Sequence, residues 1–152
     1  YIEKEITIPR LNVRSFIDAM VLKDHALYDI KTCNDYKWQS IFGRYGSKEA
    51  PQNYAIQLGT YGLYFKENGV KINKMALLFY NKNNSRVKEL KVPRTYIDMA
   101  ERYWLKVQEL FKEGLPPVQQ GLSPVEEWEC NPKYCSFYEP CGGGIKGQLR
   151  KG

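Results

Sequence analysis

The sequence predicts a mixed α/β domain, a helix packed on a small sheet, followed by an irregular cysteine-containing tail. Three observations predict it. Residues 1–8 alternate apolar and charged side chains, the period of a half-buried strand. Two further strand-like runs, 14–22 and 26–32, are separated only by the polar turn Lys23-Asp24-His25, which makes them an antiparallel hairpin. Helical spacing takes over at 52–67, and a new apolar strand follows at 74–80; strands interleaved with helices are the pattern of a helix-on-sheet fold.

Each later element has its own signal. From Cys33 to Pro51 the pattern dissolves into a polar, aromatic, Gly-containing stretch, read as a long loop of the kind that carries function. Tyr54, Leu58, Tyr61 and Phe65 recur at intervals of three or four, and Asn68-Gly69 supplies a helix stop. Met75-Ala76-Leu77-Leu78-Phe79 is an apolar run suited to a buried strand, residues 81–85 form a turn, and 86–92 alternate as its partner. Thr95 caps a second helix over about 96–112, closed by Gly114 and Pro116-Pro117. The core is therefore expected over 1–114 and the tail over 115–152. The chain begins at Tyr1 inside a strand-like alternation, so an upstream segment is expected to be missing from it.

Composition narrows the functional classes. At 152 residues the chain fits one domain with a genuine core. No apolar run approaches the roughly 18 residues of a membrane span and no signal-peptide pattern opens the chain, so a cytoplasmic setting with no membrane partner is expected. The net charge of +6 favours polyanionic partners, nucleic acid first among them.

Hydrolysing a phosphodiester requires neutralising charge on phosphorus oxygens and producing hydroxide near neutral pH. A Mg²⁺ held by carboxylates does both, with a nearby Lys to orient or deprotonate the water. Asp29 and Lys31 are two apart on a strand and leave the same face, while Ile30 between them is expected to point into apolar packing. Reflecting the hairpin about residues 24 and 25 places Asp18 opposite 30 and 31, to within about one residue of register, and directly opposite side chains lie about 5 Å apart. Phe16, Ile17, Ala19, Met20, Leu27 and Ile30 are apolar, and acids within buried strands need partners or a metal. The competing reading is two exposed strand acids paired with lysine.

The stretch SFIDAMVLKDHALYDIKT resembles the RecB-type branch of the PD-(D/E)XK nucleases, in which an Asp on one strand precedes a D/E-x-K on the next. Downstream, QLGTY is similar to the branch's Q-x-x-x-Y signature, as Gln57 and Tyr61, whose helix face leans over the active site in that family. The resemblance covers residues 1 to about 66. It implies a restriction-endonuclease-like core, a small mixed sheet flanked by helices, with Mg²⁺ or Mn²⁺ as cofactor. It implies Asp18 and Asp29 as metal ligands with the Ile30 backbone carbonyl, Lys31 on the nucleophilic water, and Gln57 and Tyr61 in support. The family's acidic residue on a helix before the first strand has no counterpart here. A metal-dependent DNA exonuclease of a phage or a recombination and repair system is expected, acting with DNA and with an oligomeric or recombination partner. The alternative is a non-catalytic nucleic-acid-binding domain that keeps the nuclease fold.

Two further groups stand out. Lys37, Trp38, Arg44 and Tyr45 follow the proposed catalytic strand, and suit either phosphate contact and base stacking or a hydrophobic flap with solvated charges. Cys130, Cys135 and Cys141 are spaced C-x4-C-x5-C. Some RecB-like nucleases, which the tail resembles, hold a 4Fe-4S cluster with three C-terminal Cys and one upstream. Zinc and free structural thiols are the other two readings. Cys33 does not match the position of the fourth thiol, and His25 reads as an exposed turn residue.

Overall fold

The computed structural model describes residues 2–114, 131–136 and 138–139. The chain divides into two compact units, Tyr1–Glu101 and Arg102–Gly152. The first holds a five-stranded mixed sheet in the order β1-β2-β3-β4-β5: β1 (Ile2–Ile8), β2 (Val13–Val21), β3 (Ala26–Cys33), β4 (Lys74–Asn81) and β5 (Val87–Lys91). β3 and β4 run parallel and the other pairs antiparallel. Parallel neighbours need a long crossover. Here it contains α1 (Asp35–Phe42) and α2 (Gln52–Glu67), while α3 (Thr95–Lys112) follows β5. The fold is therefore α/β, with a small mixed sheet.

Three expectations need correction. The stretch 33–51 is not a structureless loop, because α1 occupies its first half. The Asn34 side chain accepts from the Lys37 amide at 2.9 Å and Asp35 lies in the first turn, the usual chemistry of a helix start. The hairpin register is also different. Ala19 pairs with Tyr28, Met20 with Leu27 and Val21 with Ala26, so the turn is centred between Lys23 and Asp24. Extending that register places Asp18 opposite Asp29 rather than opposite residues 30 and 31.

The third correction concerns which side of the sheet is covered. On β3, Leu27, Asp29 and Cys33 are buried, whereas Ile30 is 51% exposed and does not enter apolar packing. Phe16 on β2 is likewise exposed. Phe79 of β4 meets both the Phe42 ring of α1 and the Tyr54 ring of α2, so both helices lie on one face of the sheet. Alternate residues of the strands, Asp29 and Lys31 included, project under those helices. Among the described residues α1 and α2 cover that face, and Ile30 and Phe16 project from the other.

The core lies between this sheet and α2, whose residues Ala55, Leu58, Tyr61 and Phe65 are all buried. The start of α3 crosses α2 at two glycines. A Cβ on Gly62 would lie 2.7 Å from Ile97 Cγ1, and one on Gly59 would lie 2.7 Å from the Tyr96 carbonyl carbon. Those close approaches leave no room for a side chain where α2 and α3 meet, and α2 carries half of the site described below. In the second unit, Tyr103 and Trp104 meet edge to face at 5.1 Å, and Lys106 pairs with Glu109 at 2.8 Å. Among the described residues, no helix is long and apolar enough to cross a membrane.

Candidate active site beneath the second helix

Asp29 sits mid-strand on β3 at 0% exposure. Neither carboxylate oxygen has a hydrogen-bond partner. Oδ2 lies 2.8 Å from Lys31 Nζ, an ion pair by distance without hydrogen-bond geometry. Burial pushes the Asp29 carboxyl up to about 6, against the pull of the Lys31 ammonium; the neighbouring Asp18 adds to the rise. A buried carboxylate whose charge is met by one lysine and by no hydrogen bond of good geometry is costly for a core to hold. Burial combined with a specific charge partner is also the condition that marks functional carboxyls.

Asp18 on β2 is half-buried, and its Oδ2 accepts from the Ile30 amide at 2.7 Å. The β2–β3 ladder runs only as far as Ala19 and Tyr28, so a carboxylate takes this amide of β3. Burial along β2 changes phase between Ile17 and Met20. Beyond that change, Met20 shares the covered face with Leu27, and Asp18 shares it with Asp29. Two acids from adjacent strands therefore converge on one spot, and the Ile30 main chain is tied to one of them.

Lys31 closes the site from the α2 side. Its ammonium donates to Gln57 Oε1 at 2.8 Å and lies 4.7 Å from the centre of the Tyr54 ring. Gln57 Nε2 donates to Tyr61 Oη at 2.6 Å, so the amide is held at both ends. Burial raises the Tyr61 pKa, reinforced by the charge of Asp29, while hydrogen bonds from Gln57 and Ser15 pull the other way. The sequence reading placed Gln57 and Tyr61 near Lys31, and the structure joins all three. It missed Tyr54, although the signal was there: Tyr54 precedes Gln57 by three residues and Tyr61 by seven, on one helical face.

The donor set fits a small, hard cation. Mg²⁺ is held by one or two carboxylates while water and substrate phosphate complete its shell. Asp29 brings two oxygens that no hydrogen bond satisfies, and Asp18 faces the same space. Among the described residues, no group of three or more His, Cys, Asp or Glu converges on such a point. The remaining ligands would come from the main chain, water or substrate.

The basic and aromatic residues downstream do not act as a set. Trp38 is buried against Phe42, with ring centres 4.8 Å apart, which agrees with a hydrophobic flap rather than with base stacking. Lys37 is half-buried on α1. Arg44 and Tyr45 are exposed, the guanidinium 5.5 Å from the Tyr45 ring centre, and are free to meet a ligand. Cys130 and Cys141 lie outside the described residues. Cys135 is half-buried, and Cys33 is buried at the end of β3, where burial pushes its thiol up and away from the thiolate that metals require. His25 is an exposed turn residue whose Nδ1 lies 2.9 Å from the Lys71 carbonyl oxygen.

Comparison with known proteins finds no matching family model, no matching curated protein and no matching solved structure.

Proposed function

We propose that this chain is a divalent-metal-dependent nuclease that hydrolyses phosphodiester bonds of DNA. Asp18 and Asp29 would hold the cation and Lys31 would act on the nucleophilic water. The observation that carries this reading is Asp29 itself: a fully buried carboxylate with both oxygens lacking hydrogen bonds, beside a lysine fastened on the opposite side by Gln57 and Tyr54. A purely structural ion pair would be expected to satisfy its carboxylate with hydrogen bonds.

When bound, the cation would supply charge neutralisation at the phosphate oxygens and a more acidic water. The chain's own residues do the rest. Gln57 and Tyr54 restrict the Lys31 ammonium to one position, from which it can orient a water or stabilise charge on a phosphate oxygen. Tyr61, its pKa raised by burial, stays a neutral phenol at neutral pH and adds no second negative charge beside Asp29. Asp18 fixes the β3 main chain through Ile30 and so sets the spacing of the two acids. The resemblance of Asp18, the Asp29-x-Lys31 pair and Gln57/Tyr61 to the PD-(D/E)XK pattern supports the same assignment.

The full chain is expected to hydrolyse linear DNA with Mg²⁺ or Mn²⁺ and to stop in EDTA. Intact DNA under both metals would overturn the catalytic reading. One observation favours a second reading, a nucleic-acid-binding domain without catalysis: no third acid joins Asp18 and Asp29 among the described residues. DNA binding without cleavage under every divalent cation would select it.

A further inference from the structure

Lys31 pairs with Phe79 across the parallel β3–β4 ladder, and Phe79 pairs with Lys88 across the antiparallel β4–β5 ladder. Paired residues on neighbouring strands project from the same face of a sheet. Lys31, Phe79 and Lys88 therefore form one row on the helix-covered side. Adjacent strands lie about 4.8 Å apart, so Lys31 and Lys88 are about 10 Å apart at their backbones.

The middle of the row is aromatic. Phe79 meets Phe42 at 5.5 Å and Tyr54 at 6.3 Å between ring centres. An ammonium lies at each end: Lys31 Nζ is 4.7 Å from the Tyr54 ring centre and Lys88 Nζ is 4.9 Å from that of Phe42. The two ends differ in one respect. Lys31 is matched to Asp29 at 2.8 Å, whereas Lys88 is exposed and pairs with no carboxylate among the described residues. Its neighbour Glu89 is already taken by Lys74, at 2.6 Å. A cation–π contact positions an ammonium without neutralising it.

We propose that Lys88 contacts a backbone phosphate of the nucleic-acid strand whose scissile phosphate lies at Asp29 and Lys31. This rests on the nuclease reading above and adds a phosphate contact on the β5 side of the site; Phe79 between the two lysines is buried beneath Phe42 and Tyr54, so the strand would pass outside those rings. Lys88 touches no reacting atom; it would bind and position the strand.

The test is DNA binding by the full chain, read by fluorescence anisotropy of a labelled oligonucleotide in Ca²⁺ over a range of NaCl concentrations. Each phosphate contact contributes about 0.7 to 0.9 to the slope of log affinity against log salt. Lys88→Gln is expected to make the slope shallower by about that amount, and Lys88→Arg to keep it. In Mg²⁺, Lys88→Gln is expected to raise KM severalfold and leave kcat within about twofold, as loss of uniform binding does. Superimposable slopes for wild type and Lys88→Gln, with cleavage intact, would overturn the Lys88 contact and leave the nuclease reading standing. The slope change without any cleavage would support the contact and remove the catalytic reading.

Discussion

Asp29→Asn is expected to make the protein more stable and inactive at once. In the folded chain the Asp29 carboxyl is raised from 3.8 to about 6, chiefly by burial. Below pH 3.8 the group is protonated folded or unfolded, and its burial carries no ionic penalty. Between 3.8 and about 6 the unfolded chain ionises first, so this group lowers stability as pH rises. Above about 6 both states are ionised and the penalty levels off at about 3 kcal/mol, two units at about 1.4 kcal/mol each. Asparagine removes that ionisation but also deprives Lys31 of its anion, so the net gain is expected at about 1–3 kcal/mol at pH 8 and near zero at pH 3.5. Thermal unfolding of both proteins across this range checks it; a gap of equal size at both ends would show that Asp29 is not a strained acid. Cleavage should fall by about a thousandfold or more, since the variant lacks the charge that holds the cation.

Lys31→Ala moves the other way in stability and the same way in activity. Removing one partner of a buried ion pair leaves the other uncompensated and costs about 3–5 kcal/mol. Asp29 then loses the neighbouring ammonium that pulls its pKa down, so its carboxyl rises beyond about 6 and accepts a proton instead. The loss of stability should therefore be large at pH 8 and small at pH 4, where the carboxyl is neutral in either protein. Activity is expected to fall by about 10²–10⁴ in kcat, the range of a positioned proton-transfer or charge-stabilising group. Lys31→Met, which keeps the length of the side chain under Tyr54, should lose activity to the same extent. Cleavage by either variant at the wild-type rate would remove Lys31 from the chemistry.

Much of this was legible in residue spacing. The parity of Asp29 and Lys31 on β3, and the interval between Gln57 and Tyr61 on α2, are local properties, and the structure keeps both. The site joins them through a tertiary contact, Lys31 to Gln57, that spacing alone did not supply. What failed depended on information that spacing does not carry. Ile30 and Phe16 are apolar, but their burial depends on whether both faces of the sheet are covered, and here the two helices share one face. The hairpin register shifted because it depends on where the turn is centred, and Lys23-Asp24-His25 does not specify that. In the stretch taken as a loop, Asn34-Asp35 was a readable helix start, and the spacing of Trp38 and Ile41 marked the buried side of α1.

Asp18 and Asp29 are proposed to share a cation, and crystals soaked in Mn²⁺ test this. An anomalous peak is expected about 2.0–2.3 Å from a carboxylate oxygen of each residue, lost in Asp29→Asn. A peak that avoids both carboxylates at saturating Mn²⁺, with Asp29 still paired to Lys31, would contradict it.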